Sequence, residues 1–456
     1  MSNQTKYNSF RKTYPEFVYE DYRYDVQSDG LHIVFDFRVG QHGFHPSAFI
    51  PNRPFLCFDQ PKTVLDTLIF NIGMIELISY WKAFCPPNIK VECGPLDEAQ
   101  KDFWRKIYFN GLGEFFYING IVAQPQDFFQ FVVHSDNAAT EPFATLPSLG
   151  GNYLVPIGGG KDSVVTLEHL QEATEKGLRP VPLIMNPRGA TVHCIEAAGY
   201  TIDDALIIHR TIDPHLLKLN SQGCLNGHTP FSAMLAFYSL LCAQLSGIPN
   251  IALSNEWSAN ESTVAGTGIN HQYSKSLTFE NDFRCYYSKH ISPCFNYFSY
   301  LRPLSELQIA MLFSQYDKYH MVFRSCNAGS KQDIWCGKCA KCLFAFIILS
   351  PFLSPRRLST IFGNNLLDDP ELDTFFKELI GQGETKPFEC VGTVDEVNAA
   401  LSMAIDRWYN NQRPVLLRDY KPQPILPSLA HLAGTGNLSP QLLHLLTNHV
   451  QAAANR

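Results

Sequence analysis

Between residues 31 and 39 the apolar side chains Leu31, Ile33, Phe35, Phe37 and Val39 alternate with His32, Val34, Asp36 and Arg38, directly after a Ser28-Asp29-Gly30 turn. A period of two puts one face of a strand against a core, and the turn with Phe17 and Tyr19 upstream supplies a partner strand. The first 60 residues therefore read as β structure. From Thr63 to Phe84, and again from about Asp97 to Phe116, the apolar period lengthens to that of a helix. An α+β domain over residues 1–140 follows. The small and polar residues from Ser135 to Gly151, with Pro142 and Pro147, read as a linker.

Past the linker, strand and helix signals alternate. Strands are expected at Tyr153–Ile157, Val181–Asn186, Ala205–His209 and Ile251–Ser254. Helices are expected at Asp162–Lys176 before Gly177, near Val192–Ala198, and at Pro230–Leu245 before Gly247. That rhythm predicts an α/β fold with a parallel sheet and crossover helices over residues 151–350. Ligands of such sheets sit beyond the carboxyl ends of the strands, which groups Gly158–Ser163, Asn186, His209, Asn255 and Glu256 around one crevice. Residues 351–456 read as helical, with Thr393 and Glu396 as a capping box and Ser439-Pro440 opening a last helix.

At 456 residues the chain suits two or three domains, and 45% apolar with 17% charged residues is a globular balance. A formal charge of −7 gives no general pull toward nucleic acid or an acidic membrane. The first residues lack the apolar core of a signal peptide, and the most apolar stretch, Val64–Phe84, is broken by Asp66, Asn71 and Glu76. A cytoplasmic protein with neither a nucleic-acid nor a membrane partner is the expectation. Thirteen scattered cysteines without a secretory signal are expected to be mostly reduced.

The most particular chemistry lies where the strand at Tyr153 runs into Gly158, Gly159, Gly160, Lys161, Asp162 and Ser163 ahead of a helix. Glycines allow a tight turn whose N–H groups face an anion, and the helix N-terminus adds partial positive charge. A Walker A loop would place Ser or Thr directly after Gly-Lys, whereas Asp162 stands there; an Asp beside phosphates asks for Mg²⁺ between them. The bland alternative is a glycine-rich turn that binds nothing. The segment resembles the pyrophosphate loop (PP-loop) of the N-type ATP pyrophosphatases, Ser-Gly-Gly-any-Asp-Ser, with Gly158 at the first serine. That resemblance implies a HUP-like PP-loop domain that cleaves ATP to AMP and pyrophosphate and adenylates an acceptor. It implies ATP contacts from Gly158, Gly159, Gly160, Lys161, Asp162, Ser163 and Asn186.

Cys326, Cys336, Cys339 and Cys342 are separated by nine, two and two residues, and Gly337 permits the turn between the middle pair. Two-residue gaps let neighbouring thiolates reach one tetrahedral ion, so structural Zn²⁺ is expected, with an iron–sulfur cluster as the alternative. Lys338, Lys341 and Arg324 are placed to offset thiolate charge. The loop and this cluster together resemble 7-cyano-7-deazaguanine synthases over Tyr153–Phe346. The segments 254–262 (Ser-Asn-Glu-Trp-Ser-Ala-Asn-Glu-Ser), 268–276 (Gly-Ile-Asn-His-Gln-Tyr-Ser-Lys-Ser) and Phe283-Arg284, with the layout of the whole chain, resemble the bacterial UDP-N-acetylmuramoyl-L-alanyl-L-glutamate epimerases.

The epimerase resemblance implies an isomerase of peptidoglycan precursor synthesis that uses ATP and Mg²⁺ on a UDP-linked muramoyl dipeptide. Asp162, Lys161, His193, His271 and Glu256 are its candidate catalytic residues. His209, His228, Lys275, Glu261 and Cys194 are further candidates, and Arg188, Lys275, Arg284 and Lys289 are choices for holding an acidic substrate. An adenylating ligase or nitrile-forming synthase acting on a small carboxylate, and a nucleotide-binding scaffold without catalysis, are the competing readings. The sequence does not specify the oligomeric state.

Overall fold

The computed structural model describes residues 2–133, 142–143, 151–174, 179–264, 266–409, 412–423 and 429–455. The expected linker lies almost wholly outside the described residues, as does the expected end of the helix after Asp162. By packing, the chain divides into two compact units made of non-consecutive stretches. Unit 1 comprises Met1–Gly150, Leu206–Ile251 and Gly268–Tyr297; unit 2 comprises Gly151–Ala205, Ala252–Thr267 and Phe298–Arg456.

Unit 1 begins with a helix, Asn3–Thr13, capped by the Ser2 side chain, where the sequence reading expected only β structure. A polar 11-residue segment leaves a weak apolar period, and its buried member is Tyr7 alone. Behind it, Glu16–Gln27 pairs antiparallel with Gly30–Val39, whose inward face is the alternating apolar set read from the sequence. Ser47–Pro51 pairs antiparallel with the other edge of Gly30–Val39, and Leu206–Thr211 pairs antiparallel with Ser47–Pro51. Asn88–Val91 and Gln130–Val133 extend the sheet in parallel from Glu16–Gln27. The sheet is thus mixed, and the strand expected at Ala205–His209, observed as Leu206–Thr211, has an antiparallel neighbour in Ser47–Pro51.

Helix Lys62–Trp81 has the length and apolarity of a membrane span, but 89% of its most apolar window is buried inside the protein. It is a core helix, packed on the sheet and on helix Phe231–Ser246. Gly73 lets it approach, since a Cβ there would lie 1.9 Å from the Tyr19 hydroxyl oxygen. Its one buried carboxylate, Glu76, receives Nε and an Nη of Arg210 at 2.6 and 2.7 Å and the Tyr238 hydroxyl at 3.0 Å. Asn71 on the same helix accepts the Tyr286 hydroxyl at 2.6 Å, and Trp104 donates to that hydroxyl at 3.1 Å, which ties three helices together.

In unit 2, Tyr153–Pro156 and Val181–Met185 pair in parallel, as the alternation predicts. Helices Lys161–Ala173 and Gly189–Ala197 follow these strands. The most central element is Glu306–Phe313, every residue of which is buried. It packs on Lys161–Ala173, Ala340–Leu349, Val394–Ala404 and Pro440–Ala454. The last two belong to the helical C-terminal region, where the Thr393–Glu396 capping box and the Ser439 cap form as expected.

Replacing Glu76 by Ala would leave the Arg210 guanidinium buried without its carboxylate, at a cost of about 3–5 kcal/mol. A clear drop in the denaturation midpoint is therefore expected, with the Tyr238→Phe variant falling less. An unchanged midpoint for Glu76→Ala would show that Arg210 finds water instead.

Candidate active site

The strand Tyr153–Pro156 delivers the chain into Gly158, Gly159 and Gly160, and Gly160 caps helix Lys161–Ala173 in an extended conformation. Gly159 has φ +81°, and a Cβ there would sit 2.9 Å from the Cβ of Ala190. Both facts demand glycine. At Gly158 a Cβ would meet nothing within 4 Å, so the serine found at this position in the pyrophosphate-loop pattern has room. The Gly159 carbonyl accepts the Arg324 N–H at 2.7 Å and the Cys194 thiol at 3.6 Å, and the Ser163 hydroxyl donates to the Gly160 carbonyl at 3.1 Å. These bonds fix the turn from behind.

Lys161 is 6% exposed, and its ammonium donates to both Asp162 and Glu306. Burial alone would make this ammonium easier to deprotonate, but the two carboxylates outweigh it and hold it charged. Glu306 is the first residue of the central helix; burial pushes its carboxyl up, and the Lys161 ammonium beside it opposes that shift. Its backbone N–H donates to Glu396 Oε1 at 2.7 Å, and Glu396 Oε2 accepts the Thr393 N–H at 2.7 Å. A chain of contacts thus runs from the glycine loop to the C-terminal helices. Asp162 keeps 31% of its side chain exposed.

The four cysteines converge. Cys326–Cys339, Cys336–Cys342 and Cys339–Cys342 sulfur distances are 3.9, 3.6 and 3.5 Å, and all four ligand atoms lie within 4.8 Å of one another. A tetrahedral ion with Zn–S bonds near 2.3 Å sets its sulfurs about 3.8 Å apart, so the set fits one such ion. Gly337 takes φ +68° between the middle pair. The N–H groups of Gly329 and Lys338 donate to Cys326 and Cys336 at 3.2 and 3.4 Å. The Lys341 ammonium donates to the Cys390 carbonyl.

The other candidates of unit 2 lie among the following neighbours. His193 pairs with Asp333 at 2.9 Å and is half exposed. Glu256 is buried beside Ser258 and contributes to the negative field at Glu306, while Arg302, fully buried, donates to its carbonyl at 2.7 Å. Asn186 follows the strand Val181–Met185 with φ +52°, and Arg188 donates to the Ser330 hydroxyl at 2.7 Å. Glu261 is paired with Lys386.

In unit 1, His209 stacks on Phe49, Arg284 holds Asn296 and the Tyr297 carbonyl, and Lys289 is exposed. His228 and His271 meet at Glu114, with Lys275 acting on His228 electrostatically. The sequence reading missed Glu306 and Glu114, and read Glu396 only as a helix cap. A Ser305–Gln308 capping box marks where the central helix begins, but no local pattern links residue 306 to residue 161.

Gly159→Ala is expected to abolish nucleotide cleavage and lower thermal stability, while Gly158→Ser keeps both. Nucleotide-dependent AMP release and melting temperature check this; a Gly158→Ser protein as damaged as Gly159→Ala would contradict the loop geometry.

The MurL N-terminal domain model matches residues 8–300 and the MurL C-terminal domain model matches residues 322–426. The UDP-N-acetyl-alpha-D-muramoyl-L-alanyl-L-glutamate epimerase of Xanthomonas oryzae pv. oryzae is 35% identical over 410 residues, 88% of each chain. The epimerase of the same name from a Micromonospora species is 36% identical over 358 residues, 77% of this chain and 78% of its own. That from Salinispora tropica is 32% identical over 397 residues, 85% of this chain and 84% of its own. No solved structure matches. With both domain models and three relatives covering most of its length, the chain belongs to the MurL family.

Proposed function

We propose that this protein inverts the terminal L-glutamate of UDP-N-acetylmuramoyl-L-alanyl-L-glutamate to D-glutamate, through a carboxyl adenylate formed from ATP with release of pyrophosphate and then AMP. The observation that carries the reading is the similarity to epimerases of that name over 77–88% of the chain. The chemistry requires activation. A proton beside a carboxylate is very weakly acidic because its loss would add a second negative charge; adenylation turns the carboxylate into an ester-like carbonyl that accepts the electron pair.

The glycine loop suits the activating step. Its amides and the N-terminus of helix Lys161–Ala173 attract phosphate oxygens, and Asp162 is the residue that would hold Mg²⁺. Bound there, Mg²⁺ would offset charge on the phosphates as the bond to the α-phosphate breaks. Lys161 supports Asp162 rather than standing free, because its ammonium is shared with Glu306. The four cysteines would hold Zn²⁺ in a structural role, since all four positions of a tetrahedral ion are filled by protein sulfurs. The reading includes a cytoplasmic location and a small-molecule substrate rather than a nucleic acid.

Purified protein with the UDP-linked dipeptide, ATP and Mg²⁺ in D₂O is expected to form AMP and to place deuterium at the glutamate α-carbon. AMP formation without exchange would rule out epimerisation, and a product of altered mass in H₂O would favour a ligase or synthase. Asp162→Ala is expected to lower AMP formation by at least 100-fold. For the cysteine site, Cys339→Ser should cost bound zinc, measured by elemental analysis, and several degrees of melting temperature, because a structural metal contributes directly to folding. Unchanged zinc content would show that the ion sits elsewhere.

A further inference from the structure

Unit 1 gathers Glu114, His228 and His271 from three separate stretches of chain, and a donor atom from each lies within 4.8 Å of the other two. Glu114 is the second residue of the short helix Gly113–Ile118, His228 follows Gly227 in the loop before helix Phe231–Ser246, and His271 lies in the 268–276 segment.

The three stretches are held together by contacts outside the cluster. The Asn119 side chain, at the end of the short helix, donates to the Asn226 carbonyl at 3.1 Å, and the Lys82 ammonium donates to the Gly227 carbonyl. Gly227 takes φ +157°, and a Cβ there would sit 3.2 Å from the Phe115 ring, so the loop lies directly on the helix. A Cβ on Gly113 would lie 3.7 Å from Ile269, which brings the 268–276 segment against the start of the same helix. Within that segment the Gln272 N–H donates to Asn270 Oδ1 at 2.7 Å and turns the chain at His271. The donors are thus placed by the surrounding backbone, as a preorganised ligand set requires.

Their spacing suits one ion. His271 Nδ1 hydrogen-bonds Glu114 Oε2, and His228 Nδ1 lies 3.3 Å from the same oxygen. The two rings are 4.7 Å apart between centroids and tilted by 51°. Bonds of about 2.0–2.1 Å to a tetrahedral Zn²⁺ set neighbouring nitrogen and oxygen donors about 3.3 Å apart. Two imidazoles with one carboxylate suit Zn²⁺, whereas Mg²⁺ and Ca²⁺ favour an all-oxygen set. Lys82 and Lys275 both act on His228 electrostatically. Their positive charge opposes a bare dication and favours an anion, hydroxide rather than water, as the remaining ligand.

We propose that Glu114, His228 and His271 form a zinc site with three protein ligands and a fourth position for hydroxide or another small anion. As the ion enters, the hydrogen bonding between carboxylate and imidazole gives way to bonds to the metal. The site differs in kind from the cysteine cluster, where four sulfurs close the coordination shell. It lies wholly within unit 1 and does not depend on the epimerase reading.

The test uses the full-length protein produced with added Zn²⁺ and desalted, with zinc per chain measured by elemental analysis. Wild type is expected to carry a second zinc equivalent besides the one assigned to the cysteines. His228→Gln and Glu114→Gln are each expected to lose one equivalent and keep the other, and the retained cysteine-bound ion with an unchanged near-UV circular dichroism spectrum reports that they are folded. With Co²⁺ in place of Zn²⁺, the spectrum of wild type minus His228→Gln should show visible d–d bands without thiolate-to-metal charge transfer. Equal zinc in wild type and both variants overturns the site and leaves a carboxylate shared by two imidazoles. A charge-transfer band in the difference spectrum also overturns it, because the lost ion would then have been held by sulfur.

Discussion

One buried ammonium organises unit 2. Lys161 follows the glycine loop, and its charge is balanced by Asp162 and by Glu306 at the head of the central helix. Neither partner is tolerable alone in that surrounding. A buried Glu306 without Lys161 would have to take up a proton, and a buried Lys161 without its carboxylates would have to lose one. The pair therefore links two demands that differ in kind: the loop must present its N–H groups and Asp162 in one orientation, and the helix Glu306–Phe313 must be surrounded by four others. Through Glu396, which accepts the Glu306 N–H, the C-terminal helices share in positioning the loop.

The cysteine cluster reaches the same loop by a second route. Arg324 donates its backbone N–H to Gly159, Ser325 packs 3.4 Å from where a Cβ on Gly160 would stand, and Cys326 comes next. Fixing four sulfurs within 4.8 Å of one another pins both ends of the 326–342 segment, whose first residues back the glycine turn. Under the proposed reading, an ion held there would limit the freedom of the turn that offers its N–H groups to phosphate, without touching substrate.

What the sequence showed, and what it concealed, follows from the range of each interaction. The alternation at Leu31–Val39, the helical period at Thr63–Phe84, the strand–glycine–helix junction at 153–163 and the cysteine spacing are all local, and the structure forms an element or cluster at each. The helix Asn3–Thr13 escaped because it is polar and buries little. The antiparallel pairing of Leu206–Thr211 with Ser47–Pro51 escaped because alternation of strand and helix reports order along the chain, not the neighbour a strand finds in space. Glu306 and Glu114 were invisible for the same reason. A glutamate 145 residues from Lys161 carries no local mark of its partner.

The glycine loop shows how geometry decides which departures from a motif matter. The chain has glycine where the pyrophosphate-loop pattern begins with serine, and from sequence alone that difference counts against the match. In the structure the side of Gly158 faces open space, whereas Gly159 combines a left-handed backbone with contact against Ala190. Sterically, Gly158 could carry a side chain and Gly159 could not. The positions that constrain the turn and charge it, Gly159, Lys161 and Asp162, all match what a phosphate-binding strand–helix junction needs. The steric demand of the turn therefore falls on Gly159, while a side chain at Gly158 would have room.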